Sequence, residues 1–294
     1  MMKSTSTRAF VLRAVDFGES DRILHLLLPD AGRVTAIAKG ARRSRRRFAG
    51  SLDLFQHLRV QIDRRRRGAM ARLDQAVLLR SFGALRVDPS RFAVGCYLLE
   101  LLDRMAPEGG ARADTRRLFD FALAALELLS QRPVDGSLRT LLELRALEAL
   151  GLRPELSRCV RCGAAAVQNG TQALFHVADG GAVCAACQRG GEGCLRVHAG
   201  TLRALDQGLR FEVSQLHRLV LPPRLLAEAR LLVGRFERFH VGVDLRSRRF
   251  LEQRVPVAPP PAAGVAPSLP ERGSTGEKPI YSAPASPPDR NRDE

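Results

Sequence analysis

Two cysteine pairs carry the sharpest chemical signal in the chain. Cys159-x-x-Cys162 and Cys184-x-x-Cys187 are separated by 21 residues. A two-residue gap lets both thiolates of a pair reach one ion, and four thiolates close a tetrahedral shell of the kind that holds structural zinc. A hydrolytic zinc keeps one position open for water, and four cysteines leave none. The His-x-Glu element that accompanies Pro-Cys-x-x-Cys in zinc deaminases is missing as well. One structural zinc is therefore expected at Cys159, Cys162, Cys184 and Cys187. Cys194, His176 and His198 are spare donors nearby, each read as an ordinary buried or surface residue. Cys96 falls on the apolar face of a helical pattern and reads as core.

The second signal is cationic. Lys39, Arg42, Arg43, Arg45, Arg46 and Arg47 put six positive side chains into nine residues, with no acid between them. Arg64, Arg65, Arg66 and Arg67 form a second run. Phosphates spaced along a strand attract such segments, and the release of counterions drives the association. For either run alone, a solvated loop or a patch for an acidic protein stands level with nucleic acid. The distribution of charge decides between them. Residues 1–80 hold 18 Lys+Arg against 7 Asp+Glu, a net +11 of the chain's +16. Two runs inside one small, strongly cationic module favour nucleic acid.

The aromatic inventory limits how such a module reads its ligand. The first 80 residues contain only Phe10, Phe17, Phe48 and Phe55, and neither Tyr nor Trp. Binders of single strands commonly stack bases on aromatic side chains. Phe48, at the end of the first run, is either such a platform or an anchor for the loop. The module is thus expected to read backbone charge with little sequence preference. Phosphate-cradling loops, nucleophile elbows and metal-spaced carboxylates are absent from the sequence, so no enzyme is expected.

The elements that position these residues follow from periodicity. Five short apolar-rich runs (7–15, 22–28, 33–38, 55–62 and 70–79) alternate with turn signals, which predicts a small closed barrel of the OB type. Antiparallel pairing is the default for connections this short. Both cationic runs then lie between strands, one before the fourth and one after it. From residue 88 the spacing turns helical, with helices opening near Asp88, Asp114 and Ser137 and further helices over 198–210 and 222–241. The segment 151–197 is rich in Gly and Cys and short on periodicity, so it reads as an insert carrying the metal site. The Gly180-Gly181 pair suits a hairpin that bears the second cysteine pair.

The fold class expected is therefore α+β and multidomain. It comprises an OB-fold DNA-binding domain over 1–80 and a helical domain over 81–254 with a zinc element at 155–197. Residues 255–294 hold ten prolines and few large apolar side chains, which predicts a disordered tail. No segment has the length and apolarity of a membrane span, and Arg8, Arg13 and Asp16 interrupt any signal-peptide core, so a cytoplasmic protein is expected. In a reducing compartment the cysteine pairs read as metal ligands before disulfides.

The chain resembles the bacterial RecO recombination mediators. The resemblance runs through Val11–Asp16 and FGESDRILHLLLPDAGRVTAIAKGARRSRRRFAGSLDLFQ, then ELSRCVRCG, FHVADGGAVCAACQ and LRSRRFLEQ, covering about residues 8–253. Its most specific marks are Lys39-Gly40-Ala41-Arg42, Phe48-Ala49-Gly50, the two cysteine pairs and Ser247-Arg248-Arg249-Phe250. The resemblance implies a nucleoid-associated protein that binds single- and double-stranded DNA and anneals complementary strands. It implies work with RecR, and in some organisms RecF, to load the RecA recombinase on DNA coated by single-stranded DNA-binding protein. It also implies contact between the helical domain and that protein's acidic C-terminal tail. The alternative is a zinc-containing scaffold whose basic loops bind an acidic protein rather than DNA.

Overall fold

The computed structural model describes residues 4–256, apart from 45, 49, 65–69, 168–170 and 190–192. The five predicted strands are present as β1 (Ser4–Phe17), β2 (Asp21–Leu28), β3 (Gly32–Ala38), β4 (Gln56–Asp63) and β5 (Ala71–Ser81). They close a barrel in the order β1-β2-β3-β5-β4, with β4 returning to β1. The length of β1 makes closure possible. Ser4–Phe10 pair with β4 and Phe10–Phe17 with β2, and an irregularity between Val11 and Arg13 interrupts the β2 pairing. Such a bulge bends a strand so that it can serve two neighbours. The pairing differs from the antiparallel default at one place. β3 and β5 run parallel through Ala36↔Ala71 and Ile37↔Arg72, because β4 intervenes between them in sequence.

Alternation fills the barrel. Ala9, Val11, Leu24, Leu26, Ala36, Leu58, Val60 and Leu73 point inward and are buried. The outer side of the same strands meets the helices. Phe10 stacks on His57 with ring centroids 4.8 Å apart and lies 5.0 Å from Phe119 of α2 (Arg112–Gln131). Phe10, Leu12 and Leu27 thereby join the apolar core of the helical part. The turn after β2 is stitched to α1 (Pro89–Met105) and to the segment that follows it. Arg33 N–H donates to the Pro107 carbonyl at 2.9 Å, Gly109 N–H to Ala31 at 3.0 Å, and His25 Nδ1 lies 2.5 Å from Asp103. Gly32 is required here, since a Cβ would come within 2.3 Å of the Pro107 oxygen.

The remaining helices are α3 (Gly136–Ala149), α4 (Ala199–Arg210), α5 (Pro223–Val241) and α6 (Arg246–Arg254). The last of these is not foreseen by periodicity. A buried ionic group ties three of them together. Glu143 of α3 takes Arg139 Nε at 3.1 Å on one oxygen and Arg230 of α5 on the other. Arg139 continues to the carbonyls of Leu251 and Val255 at the end of α6. Between α3 and α4 a three-stranded sheet forms from β6 (Gln172–His176), β7 (Gly181–Val183) and β8 (Leu195–His198), with β6 central. Among the described residues no helix is long and apolar enough to cross a membrane.

Candidate metal centre and nucleic-acid interface

The sheet insert brings the two cysteine pairs together. The first pair sits before β6. Cys159 N–H donates to the Ala164 carbonyl at 2.7 Å, and Gly163 N–H returns to Cys159 at 2.8 Å. Gly163 takes a left-handed φ of 77°, which a side chain would resist, so the tight turn needs glycine directly after Cys162. The second pair follows β7, where Cys187 N–H donates to the Cys184 carbonyl at 3.0 Å. The β6–β7 hairpin carries it beside the first pair, as the Gly180-Gly181 turn suggests, and Val160 N–H bonds the Ala182 carbonyl.

All four sulfur atoms lie within 4.8 Å of one another, and Cys162 Sγ is 3.7 Å from Cys184 Sγ. Thiolates about 2.3 Å from a tetrahedral ion stand about 3.8 Å apart, so the spacing fits such an ion. Cys159 and Cys184 are buried while Cys162 is exposed. Burial opposes ionisation of Cys159, but backbone donors at Cys184, Arg161 and Cys162 outweigh it and bring the thiol down to about 6. Hydrogen bonding with Cys162 and then Cys184 drives Cys187 up to about 12.

The spare histidines have other partners. His176 Nδ1 accepts the Asp179 N–H at 3.1 Å and faces that residue's carboxylate. His198 caps α4 by accepting Gly200 N–H at 3.0 Å. Arg161 braces the cluster from outside, donating to Asp179 at 2.8 Å and to the Cys187 carbonyl at 2.7 Å. Burial holds the Cys96 thiol up at about 11, well away from this group.

The first cationic run forms the start of the β3–β4 connection, as its position predicts. The structure adds what the sequence hides. The run has no internal acid, yet the β1–β2 turn supplies three. Asp21 accepts Gly40 N–H at 2.7 Å and meets Lys39 Nζ at 2.9 Å. That amide bond, then the Lys39 ammonium, hold the Asp21 carboxyl below its ordinary range. Arg42 reaches Asp16 at 3.5 Å and donates its N–H to the Ser20 carbonyl at 2.9 Å, while Arg43 stands 3.6 Å from Glu19. Arg47 turns back to the Lys39 carbonyl at 2.6 Å. Among the described residues Arg46 makes no ion pair and is exposed. Arg45 lies outside the described residues.

Phe48 is the loop's anchor and offers no face to a base. It is 1% exposed and packs with Leu24, Leu28 and Ile62 in the barrel cluster. The Arg47 guanidinium covers its ring at 5.1 Å, and Ala76 N–H ties the Arg47 carbonyl to β5. Burying a phenylalanine in full contributes about 1.5–3 kcal/mol, which is what fixes the loop to the barrel rim. Arg64 directly follows β4 and is exposed. Arg65, Arg66 and Arg67 lie outside the described residues.

Comparison with known proteins agrees with this architecture. The family model described as "Recombination protein O N terminal" matches residues 2–82, and "Recombination protein O C terminal" matches residues 86–249. The DNA repair protein RecO of Anaeromyxobacter sp. (strain K) is 39% identical over 251 residues, covering 84% of this chain and 95% of that protein. Its counterpart in Myxococcus xanthus is 37% identical over 248 residues, covering 83% and 96%. The one in Symbiobacterium thermophilum is 34% identical over 243 residues, covering 82% and 94%. Matched by both family models and by relatives along nearly their whole length, the chain belongs to the RecO family of DNA repair and recombination proteins.

Proposed function

We propose that this chain is a recombination mediator that binds DNA through its barrel, residues 1–80, and anneals complementary strands without making or breaking a covalent bond. The observation that carries the reading is the cationic segment after β3, clamped to the barrel by buried Phe48 with Arg42, Arg43, Arg46 and Arg47 exposed. A preformed loop loses little entropy on meeting a polyanion. Its carboxylate partners do not forbid this. Exposed ion pairs are worth about 0–1 kcal/mol, so a phosphate that takes two guanidinium donors displaces them. Arg64, exposed directly after β4, adds a further cation to the barrel.

Screening of one backbone lets a second approach, and pairing of bases then follows from the strands themselves. The family supports a role beside RecR, with RecF in some lineages, in loading RecA on strands coated by single-stranded DNA-binding protein. It also supports contact with that protein's C-terminal tail. The cysteine cluster, in this reading, holds one structural zinc that keeps the insert folded.

Wild-type affinity for a single strand should fall steeply with salt. Changing Arg43 and Arg46 together to Ala should lower the slope of log affinity against log salt by about 1.4, at about 0.7 per phosphate contact. An unchanged slope would remove the loop from the site. The loop already meets three carboxylates of the β1–β2 hairpin, which keeps an acidic protein as the competing ligand. A tight complex with such a protein and no strand annealing at physiological salt would favour that second reading.

A further inference from the structure

A second cluster of cations lies on the barrel away from this loop. Arg8 of β1 and Arg59 of β4 stand directly opposite each other in the antiparallel register. Like charges in that position are destabilising, by up to about 1 kcal/mol. Their side chains project from the outer face, since the neighbours Ala9 and Leu58 fill the barrel. The first turns of α2 face the same spot and add Arg112 and Arg116, four residues apart on one side of the helix. Ala111 caps that helix without a side-chain hydrogen bond, and the acid in its first turn, Asp114, is paired with Arg117 at 3.2 Å.

Together these residues line an open, polar pocket of about 360 Å³. Two carboxylates are close by. Asp120 takes Arg116 at 3.1 Å, and Asp30 at the rim meets the Thr7 hydroxyl at 3.5 Å. Arg8 is held over the Phe119 ring at 5.1 Å. Among the described residues Arg59 and Arg112 have no ion-pair partner. The pocket therefore carries four cations against two acids, with two arginines unanswered.

We infer that this pocket is a second backbone site, which takes a phosphodiester of a second DNA strand while the Lys39–Arg47 loop holds the first. The inference rests on the reading of that loop as a DNA site. Three features select this ligand. The pocket lining contains no aromatic side chain, so a base finds no aromatic platform there and the four guanidinium groups favour the phosphate. The pocket is open to solvent, as a continuous chain requires. Eight residues of β1 separate Arg8 from Asp16, against which Arg42 rests, a strand length of about 26 Å at 3.3 Å per residue. That is well beyond the screening length of about 8 Å at physiological salt, so two strands held there are hidden from each other's charge. This changes the picture of annealing. The two backbones are held at separate ends of one barrel wall, and neither loop has to hold both.

The test is a variant with Arg59→Ala and Arg112→Ala, both exposed and without ion pairs, compared with the wild type and with the Arg43→Ala, Arg46→Ala loop variant. A labelled oligo-dT strand is bound first, and a second labelled oligo-dT strand is then titrated onto the loaded protein. The pocket variant should bind the first strand with wild-type affinity and salt slope. It should bind the second with a slope lower by about 1.4, so that its deficit relative to wild type is about sevenfold larger at 50 mM than at 200 mM salt. Its annealing of complementary strands should slow in step, and lysine at both positions should restore it. A reduced slope for the first strand would make the pocket part of the first site and overturn the assignment. Full displacement of the second strand by millimolar inorganic phosphate at constant ionic strength would assign the pocket to free phosphate and overturn it too. Unchanged second-strand binding in a wild-type-like melting background also overturns it. Failure of the loop reading is seen separately, as a wild-type protein that does not bind the first strand.

Discussion

Arg47 donates from its guanidinium to the carbonyl of Lys39, joining the last cation of the first run to the first at 2.6 Å. The bond closes the loop on itself above Phe48, which lies under the Arg47 guanidinium. Arg46, its neighbour in sequence, has no such task. The two arginines should therefore part company on mutation. Arg46→Ala should lower the salt slope of strand binding by about 0.7 and leave melting unchanged. Arg47→Ala should weaken binding and also remove one hydrogen bond, worth about 0.5–1.5 kcal/mol, for a fall in melting temperature of about 2–4 °C. Thermal denaturation alongside fluorescence anisotropy separates them, and identical behaviour would mean the clip has no structural weight.

The cysteine cluster predicts a stoichiometry. Elemental analysis of the native protein should find about one zinc per chain, and Cys184→Ala should lose it, because three thiolates remain and one of the two pairs is broken. The loss should loosen the small sheet first, seen as faster amide exchange at Val160 and Ala182, whose hydrogen bond joins the two pairs. A native protein purified without chelator and free of metal would refute the assignment.

His57 should make the molecule sensitive to mild acid. Its ring is stacked on Phe10, its Nε2 is buried without a partner, and Arg8 and Arg80 are near. Burial first, then the two arginines, hold its pKa below the ordinary 6.5. The unfolded chain then takes up the proton more readily than the folded one. Stability should fall as pH drops below about 6.5, and level off once the folded imidazole is itself protonated. His57→Gln should flatten the melting temperature between pH 7 and pH 5 relative to wild type, and an equally steep decline in the variant would exclude His57 as the cause.

Glu143 holds two buried arginines, and burial, the largest influence on each, brings both Arg139 and Arg230 down to about 10. Removing its charge leaves Arg139 without its carboxylate and Arg230 with only Glu252, at 4.0 Å. Glu143→Gln should cost about 3–5 kcal/mol, the usual penalty for breaking a buried pair, and lower melting by about 10 °C. The end of α6 should loosen at the same time, since Arg139 also holds the Leu251 and Val255 carbonyls. Proteolysis near residue 255 would report it, and an unaltered digestion pattern would show that α6 stands without this network.

What the sequence alone determined is local in origin. Five alternating runs define the strands to within a few residues, three- and four-residue spacing marks five of the helices, and the two-residue gap fixes each cysteine pair. In all of these, the residues that decide the outcome are close together in the chain. Helix α6 escapes that logic. Arg246–Arg254 reads as a polar, solvated stretch, and it is held by Glu100, which receives Arg246 and Ser247 from 146 and 147 residues away. The parallel β3–β5 contact escapes it too, because barrel closure and not either strand's own pattern creates it. The cationic loop shows the division most sharply. Its charge was legible residue by residue, while its acidic partners on the β1–β2 turn, the burial of Phe48 and the meeting of Arg8, Arg59, Arg112 and Arg116 were not. Charge belongs to a side chain wherever the chain goes, but its neutralisation depends on distance in space, and only the folded barrel sets that distance.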